Sequence, residues 1–393
     1  MDRSKVLVLL LALGLASCGG GSSPSAADRA QLPTHVDTHP APSADESGPS
    51  TPGQDAGDGQ TSAPITDASR PAHAPDTSDA DASMPASTPA PGDAATPEGT
   101  PTLFFLDALG GRVLTVAPDG NKSRAVVQNQ RATPDGVAAD AAGGRIYWTN
   151  MGAPSGNDGT ILSTKLDGSD LKTVVPSGGT FTPKQLTLDP EHGLLYWSDR
   201  EGMRVMRSKL DGSSIETLVT IAEGESARTV DSNWAVGIAL DLSAGYVYWT
   251  QKGADDAGQG SLRRAPIALS NGETSDKRSD IEVLFQGLPE PIDLALDLQD
   301  RKVYWTDRGD NTVNRASMDL PAGTTAATRT DREKLVQGLN EAIGITLDLR
   351  HGNVYYTDLG GLVGTCKLDG SGAKTVVSGQ GSLTGITYVE LPR

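Results

Sequence analysis

The chain of 393 residues carries a formal charge of −17, with 33 basic against 50 acidic side chains, and has two cysteines. Nucleic-acid binding needs a basic stripe, which is missing, and two cysteines at Cys18 and Cys366 make no intrachain disulfide framework. The acidity is largely local: residues 19–100 hold twelve acids against Arg29 and Arg70, −10 of the total, so the remainder is only mildly acidic.

Residues 1–18 read as an export signal. Val6 to Leu15 is an apolar run too short to span a bilayer, and it ends in Leu15-Ala16-Ser17-Cys18. That ending resembles the bacterial lipobox, which implies lipidation at Cys18. Gly19 in place of an aspartate implies sorting to the outer membrane, by resemblance to Gram-negative lipoproteins. Residues 19–100 are Pro, Ala, Ser, Thr, Asp and Gly with almost no bulky apolar side chain. Such a segment cannot bury enough surface to offset its ordering entropy and is expected to be a disordered tether.

Residues 101–393 contain one motif six times, roughly 43 to 56 residues apart, a period that suits propeller blades. The copies begin at Leu103 ("LFFLD"), Ile146 ("IYWTN"), Leu195 ("LYWSD"), Val247 ("VYWTQ"), Val303 ("VYWTD") and Val354 ("VYYTD"). A catalytic group is needed once, whereas a scaffold unit is needed in every repeat. Trp148, Trp197, Trp249, Trp305 and Tyr356, with Asp199, Asp307 and Asp358, are therefore assigned to structure. Before each later copy runs an apolar strand such as "GIALD" at Gly237, and after it come "KLDG"-type hairpin turns and a β-branched strand such as "KTVV". Strands apolar on both faces must be covered on both, which a ring of four-stranded sheets achieves. Alternation points Val303, Trp305 and Asp307 one way and Tyr304 and Thr306 the other. The aspartate, at the strand end, is expected to accept backbone N–H bonds and tie adjacent blades together. The first copy lacks a preceding "GIALD" strand, and the chain has a surplus one in "LTGITYVE" from Leu383, so the C-terminal strand should close the first blade.

The tetrads, the "GIALD" strands and the "LDG" turns resemble the class B repeats of the low-density lipoprotein receptor family. The resemblance implies an all-β, six-bladed β-propeller of the YWTD type. It departs at Asn150 and Gln251, which replace the aspartate, at Tyr356 and Phe105, which replace the tryptophan, and in the first copy, which also lacks the threonine.

Ligands of propellers usually meet the face carrying the 4–1 and 2–3 loops. "MGAPSGNDG" at Met151, "KGADDAGQG" at Lys252 and the long Ala222–Trp234 segment lie there, whereas "NGETSDKRSD" at Asn271 belongs to the opposite face. Gln185 and Asp293 interrupt a glycine pattern at the starts of the inner strands. With Trp234, Asn233, Glu290 and Glu341 they form the candidate rim, an acidic mouth with an aromatic anchor. The expected function is a surface-tethered, non-catalytic module binding a protein, peptide or glycan, not an enzyme. The alternative is a divalent-metal hydrolase of the lactonase type, with Asp293, Glu290 and Asn233 around a calcium ion. Otherwise no cofactor is expected, nor any nucleic-acid partner. Membrane contact is expected through Cys18 alone, and the chain is expected to be a monomer. His192 and His351 fall on strand 1–2 turns away from the rim, and Cys366 sits in a small-residue strand slot.

Overall fold

The computed structural model describes residues 99–129 and 132–392; the signal, Cys18 and the tether expectations lie outside them. Among the described residues there are twenty-four strands, from β1 (Thr100–Asp107) to β24 (Leu383–Leu391), in six antiparallel four-stranded sheets. The innermost strands are β4 (Pro134–Asp140), β8 (Pro183–Asp189), β12 (Ala235–Asp241), β16 (Pro291–Asp297), β20 (Ala342–Asp348) and β24. Each contacts the next, and β24 contacts β4, so the ring closes. The first blade has the order β24-β1-β2-β3, where β2 is Arg112–Val116 and β3 is Arg124–Val127, with Leu103 opposite Tyr388 and Asp107 opposite Leu383. The C-terminal strand is thus the inner strand of the first blade. β1 starts at Thr100, one residue before the expected boundary.

The tetrads form the second strands, β5 (Arg145–Asn150), β9 (Leu194–Asp199), β13 (Tyr246–Gln251), β17 (Lys302–Asp307) and β21 (Asn353–Asp358). Their four tryptophans and Tyr356 are buried. In β17, Val303 and Trp305 pack with Tyr248, Leu284 and Phe285 of the preceding blade, while Tyr304 packs with Val354 and Tyr356 of the following one. Burying 150–250 Å² per aromatic at about 25 cal/mol/Å² gives roughly 4–6 kcal/mol each before entropy is charged.

The hydrogen bonds divide the tetrad's labour differently from the expectation. The aspartate does not tie blades together. Asp199 accepts from the backbone N–H of Phe181 and Thr182, and Asp307 from that of Glu290, so each carboxylate fastens the loop entering its own blade. The link to the next blade comes from the hydroxyl. Thr149 donates to the Lys184 carbonyl (2.7 Å), Ser198 to Gly237 (2.9 Å), Thr250 to Ile292 (2.6 Å), Thr306 to Ile343 (2.6 Å), and Thr357 to Thr384. Strand alternation explains this, since the hydroxyl shares the face of the tyrosine that packs on the following blade. The first copy has Leu106 where the hydroxyl belongs, and Thr384 on β24 supplies it instead, donating to the Pro134 carbonyl at 3.0 Å. Asp107 still works as the others do, accepting from Ser382 N–H at 3.0 Å.

Candidate functional site at the channel mouth

The Ala222–Trp234 loop is built as a rigid wall. It holds one helical turn, Glu225–Arg228, and a 3-10 turn, Asp231–Asn233. Asn233 donates its amide to the Ala227 carbonyl (2.9 Å), Trp234 donates its indole N–H to the Arg228 carbonyl (2.8 Å), and Arg228 reaches the Glu201 carbonyl (2.6 Å). The half-buried Trp234 ring lies under two cations, the Arg200 guanidinium at 4.9 Å and the Lys252 ammonium at 5.5 Å.

Those cations also answer the carboxylates. Glu290, only 2% exposed, pairs with Lys252 and with Arg308 at 2.8 Å; Arg308 extends to Asp255 at 2.8 Å and to Glu341 at 3.8 Å. Glu201 pairs with Arg200. Burial opposes ionisation of Glu201, but the Arg200 guanidinium outweighs it and holds the carboxyl below its ordinary range. The rim carboxylates Glu290 and Glu341 consequently have cations beside them, where the sequence led to the expectation of an acidic mouth.

Beneath it the inner strands contribute a layer of side chains. Their second residues are Asp135, Lys184, Val236, Ile292, Ile343 and Thr384, polar on three consecutive blades and apolar on the other three. Val236, Ile292 and Ile343 pack together, while Lys184 pairs with Asp135 at 2.7 Å. Burial pushes the Lys184 ammonium below its ordinary value, against the pull of Asp135. At the third residues, a Cβ on Gly237 would lie 2.3 Å from the Ile292 carbonyl oxygen and one on Gly136 2.5 Å from that of Lys184. Close approach of neighbouring strands therefore requires the glycines. Gln185 donates to Asp135 at 3.3 Å, and Asp293 accepts backbone N–H bonds from Leu294 (2.9 Å) and Ile345 (3.1 Å). Burial pushes Asp293 up to about 8.

The structure thus brings Trp234, Asn233, Glu290 and Glu341 to the mouth but places Gln185 and Asp293 under it, both buried. Rim membership for those two is corrected: a long side chain at a position where neighbouring blades receive glycine turns into the crowded axis. Sequence reasoning missed Arg200, Lys252 and Arg308. The signal was available, because each directly follows its tetrad, in "YWSDR", "YWTQK" and "YWTDR" of three consecutive blades.

The metal alternative finds no assembled donor set. Among the described residues no group of three or more His, Cys, Asp or Glu side chains comes together to hold an ion. Asn233 has its amide on the loop, Glu290 has two cations, and Asp293 lies in the layer below. His192 and His351 cap their turns by bonding Asp189 and Asp348 at 2.9 Å. Cys366 is buried, its thiol pushed up to about 11 by burial, and far from nucleophilic form at neutral pH.

No family model matches the chain. Over 290 residues it is 43% identical to a Pyricularia oryzae protein named low-density lipoprotein receptor-related protein 1, spanning 71% of this chain and 92% of that protein. A relative from Cochliobolus heterostrophus named 3-hydroxyacyl-CoA dehydrogenase-like protein LAM1 is 37% identical over 270 residues, which span 66% of this chain and 57% of that protein. A chain from the crystal structure of a nidogen/laminin complex superposes with a TM-score of 0.58 at 20% identity, covering 74% of this chain and 99% of that one. The last match establishes the shared fold. With six blades, the tetrads and a relative of this identity and coverage, the chain belongs to the low-density lipoprotein receptor class B (YWTD) repeat β-propeller family.

Proposed function

We propose that this protein is a non-catalytic binding propeller of the cell envelope, anchored through Cys18, that takes a protein or peptide segment at its mouth. The observation that carries the reading is Trp234: an aromatic face only half buried, fixed by its indole N–H bond and flanked by Arg200 and Lys252. Rigid aromatic and arginine anchors dominate binding energy at interfaces. Every buried carboxylate at the mouth has a cation beside it, so the surface offers an aromatic face and hydrogen bonds without selecting a basic partner by charge. The neighbour of similar fold comes from a complex with laminin, which supports a protein partner over a glycan.

The test is selection of displayed peptides against the full chain, repeated with Trp234→Ala. Peptides enriched on the parent should lose at least about thirtyfold in affinity for the variant, a hot-spot loss of about 2 kcal/mol or more. Equal binding to both would remove the mouth from consideration. Micromolar calcium binding together with lactone turnover would replace the reading by the hydrolase.

A further inference from the structure

Below the layer of inner-strand side chains the channel holds a cavity of about 240 Å³ whose lining reaches Leu298 at a strand 1–2 turn, on the side opposite the mouth. Gln185 and Asp293 form its floor, and its walls carry more polar than apolar surface, with Thr187, Thr346 and Thr387 beside Ala239, Leu240, Ala295 and Leu296. Leu242, Leu298 and Leu349 occupy the residue after the turn aspartate in three consecutive blades. All three are exposed, and Leu298 also lines the cavity. The two blades before them in the chain have Ala141 and Pro190 at this position, so blade packing does not require a leucine there.

The floor lacks a counter-charge. Among the described residues no cation pairs with Asp293, because Lys184, which stands nearest in charge, is bonded to Asp135. Each Asp293 oxygen accepts one backbone N–H and keeps a second acceptor position. A buried carboxyl without a counter-charge favours an occupant that brings a cation. The size restricts it further: a 150 Å³ cavity holds benzene and drug-sized ligands need 300 Å³ or more, so the occupant has on the order of ten heavy atoms.

We propose that this cavity binds a small alkylammonium compound, with its head on Asp293 and its apolar chain running out to the collar of Leu242, Leu298 and Leu349. A folded segment of another protein is too bulky to enter, and an anionic head would meet a second carboxyl, Asp135, behind the first. Near neutral pH burial keeps the proton on Asp293, with Asp135 adding to the effect and Lys184 opposing it. Binding therefore releases that proton, and the affinity rises with pH toward 8.

The test is titration calorimetry of the full chain with n-octylammonium chloride, with octanoate as the control of opposite charge. Expected are saturable one-to-one binding, an affinity that rises by up to tenfold per pH unit between 6 and 8, and heats that depend on the buffer's ionisation enthalpy. Octanoate should bind at least a hundredfold more weakly. Asp293→Asn should cost tenfold or more and flatten the pH dependence. Leu298→Arg, an exposed change that leaves the floor untouched, should weaken n-octylammonium at least tenfold and keeps the test valid if the first variant does not fold. Absence of binding, equal affinity for octanoate, or indifference to Leu298→Arg would overturn the proposal.

Discussion

Trp197 and Trp305 hold equivalent positions and are equally buried, yet their indole N–H groups fare differently. Trp197 donates to the Thr180 hydroxyl at 3.0 Å, whereas the Trp305 N–H has no partner among the described residues. Replacement by phenylalanine removes the same volume at both sites but a hydrogen bond at only one. Trp197→Phe should therefore cost about 1 kcal/mol more than Trp305→Phe, and Trp305→Ala about 3–5 kcal/mol, as read from denaturant midpoints. A second residue-scale expectation concerns acid. Asp307 is pushed up to about 6 by burial and by Asp310, and Asp293 up to about 8 by burial. Both native carboxyls hold protons that the unfolded chain, at the ordinary value of 3.8, has released. The stability they contribute is complete below that value and is lost as pH rises, first through 6 and then through 8. The melting temperature should fall between pH 4 and 8.5, and Asp307→Asn should remove the lower step, worth roughly 1–3 kcal/mol.

At the scale of elements, the ring is held by one hydroxyl-to-carbonyl bond per blade junction, and the first blade makes its bond from β24. Thr384→Val should cost about 1 kcal/mol, comparable to Thr306→Val, although only Thr306 belongs to a tetrad. Removing residues from Leu383 onward takes the whole inner strand, leaves β1 unpaired along one edge and should give an aggregating product in sedimentation; a monomer melting like the parent would contradict the closure. Blades, strand order and closure were legible because apolar alternation and turn residues report on neighbours in the same sheet. The division between Asp and Thr was less so, since it depends on which carbonyl of the next blade faces the hydroxyl. The site was the least legible. Trp234 stood out as an aromatic in a polar loop, but Arg200, Lys252 and Arg308 gain meaning only when three blades are set side by side. Gln185 and Asp293 looked like rim residues because sequence register gives height along the axis and says nothing of what closes over it.

At the scale of the whole molecule, two faces of the channel have different chemistry, an ion-paired mouth that carries Trp234 and a hollow with a buried carboxyl. Anchoring through Cys18 predicts that Cys18→Ser moves the full chain from the detergent phase to the aqueous phase on phase separation; unchanged partition would remove the anchor. The claim on which the account turns is that the Trp234 face is where a partner sits. Hydrogen–deuterium exchange of the full chain, with and without a peptide selected against it, tests this directly. The account predicts protection confined to Ala222–Trp234 and the loop after Lys252, lost in Trp234→Ala with the melting temperature unchanged. Protection elsewhere, with those two loops exchanging as in the free protein, would contradict it.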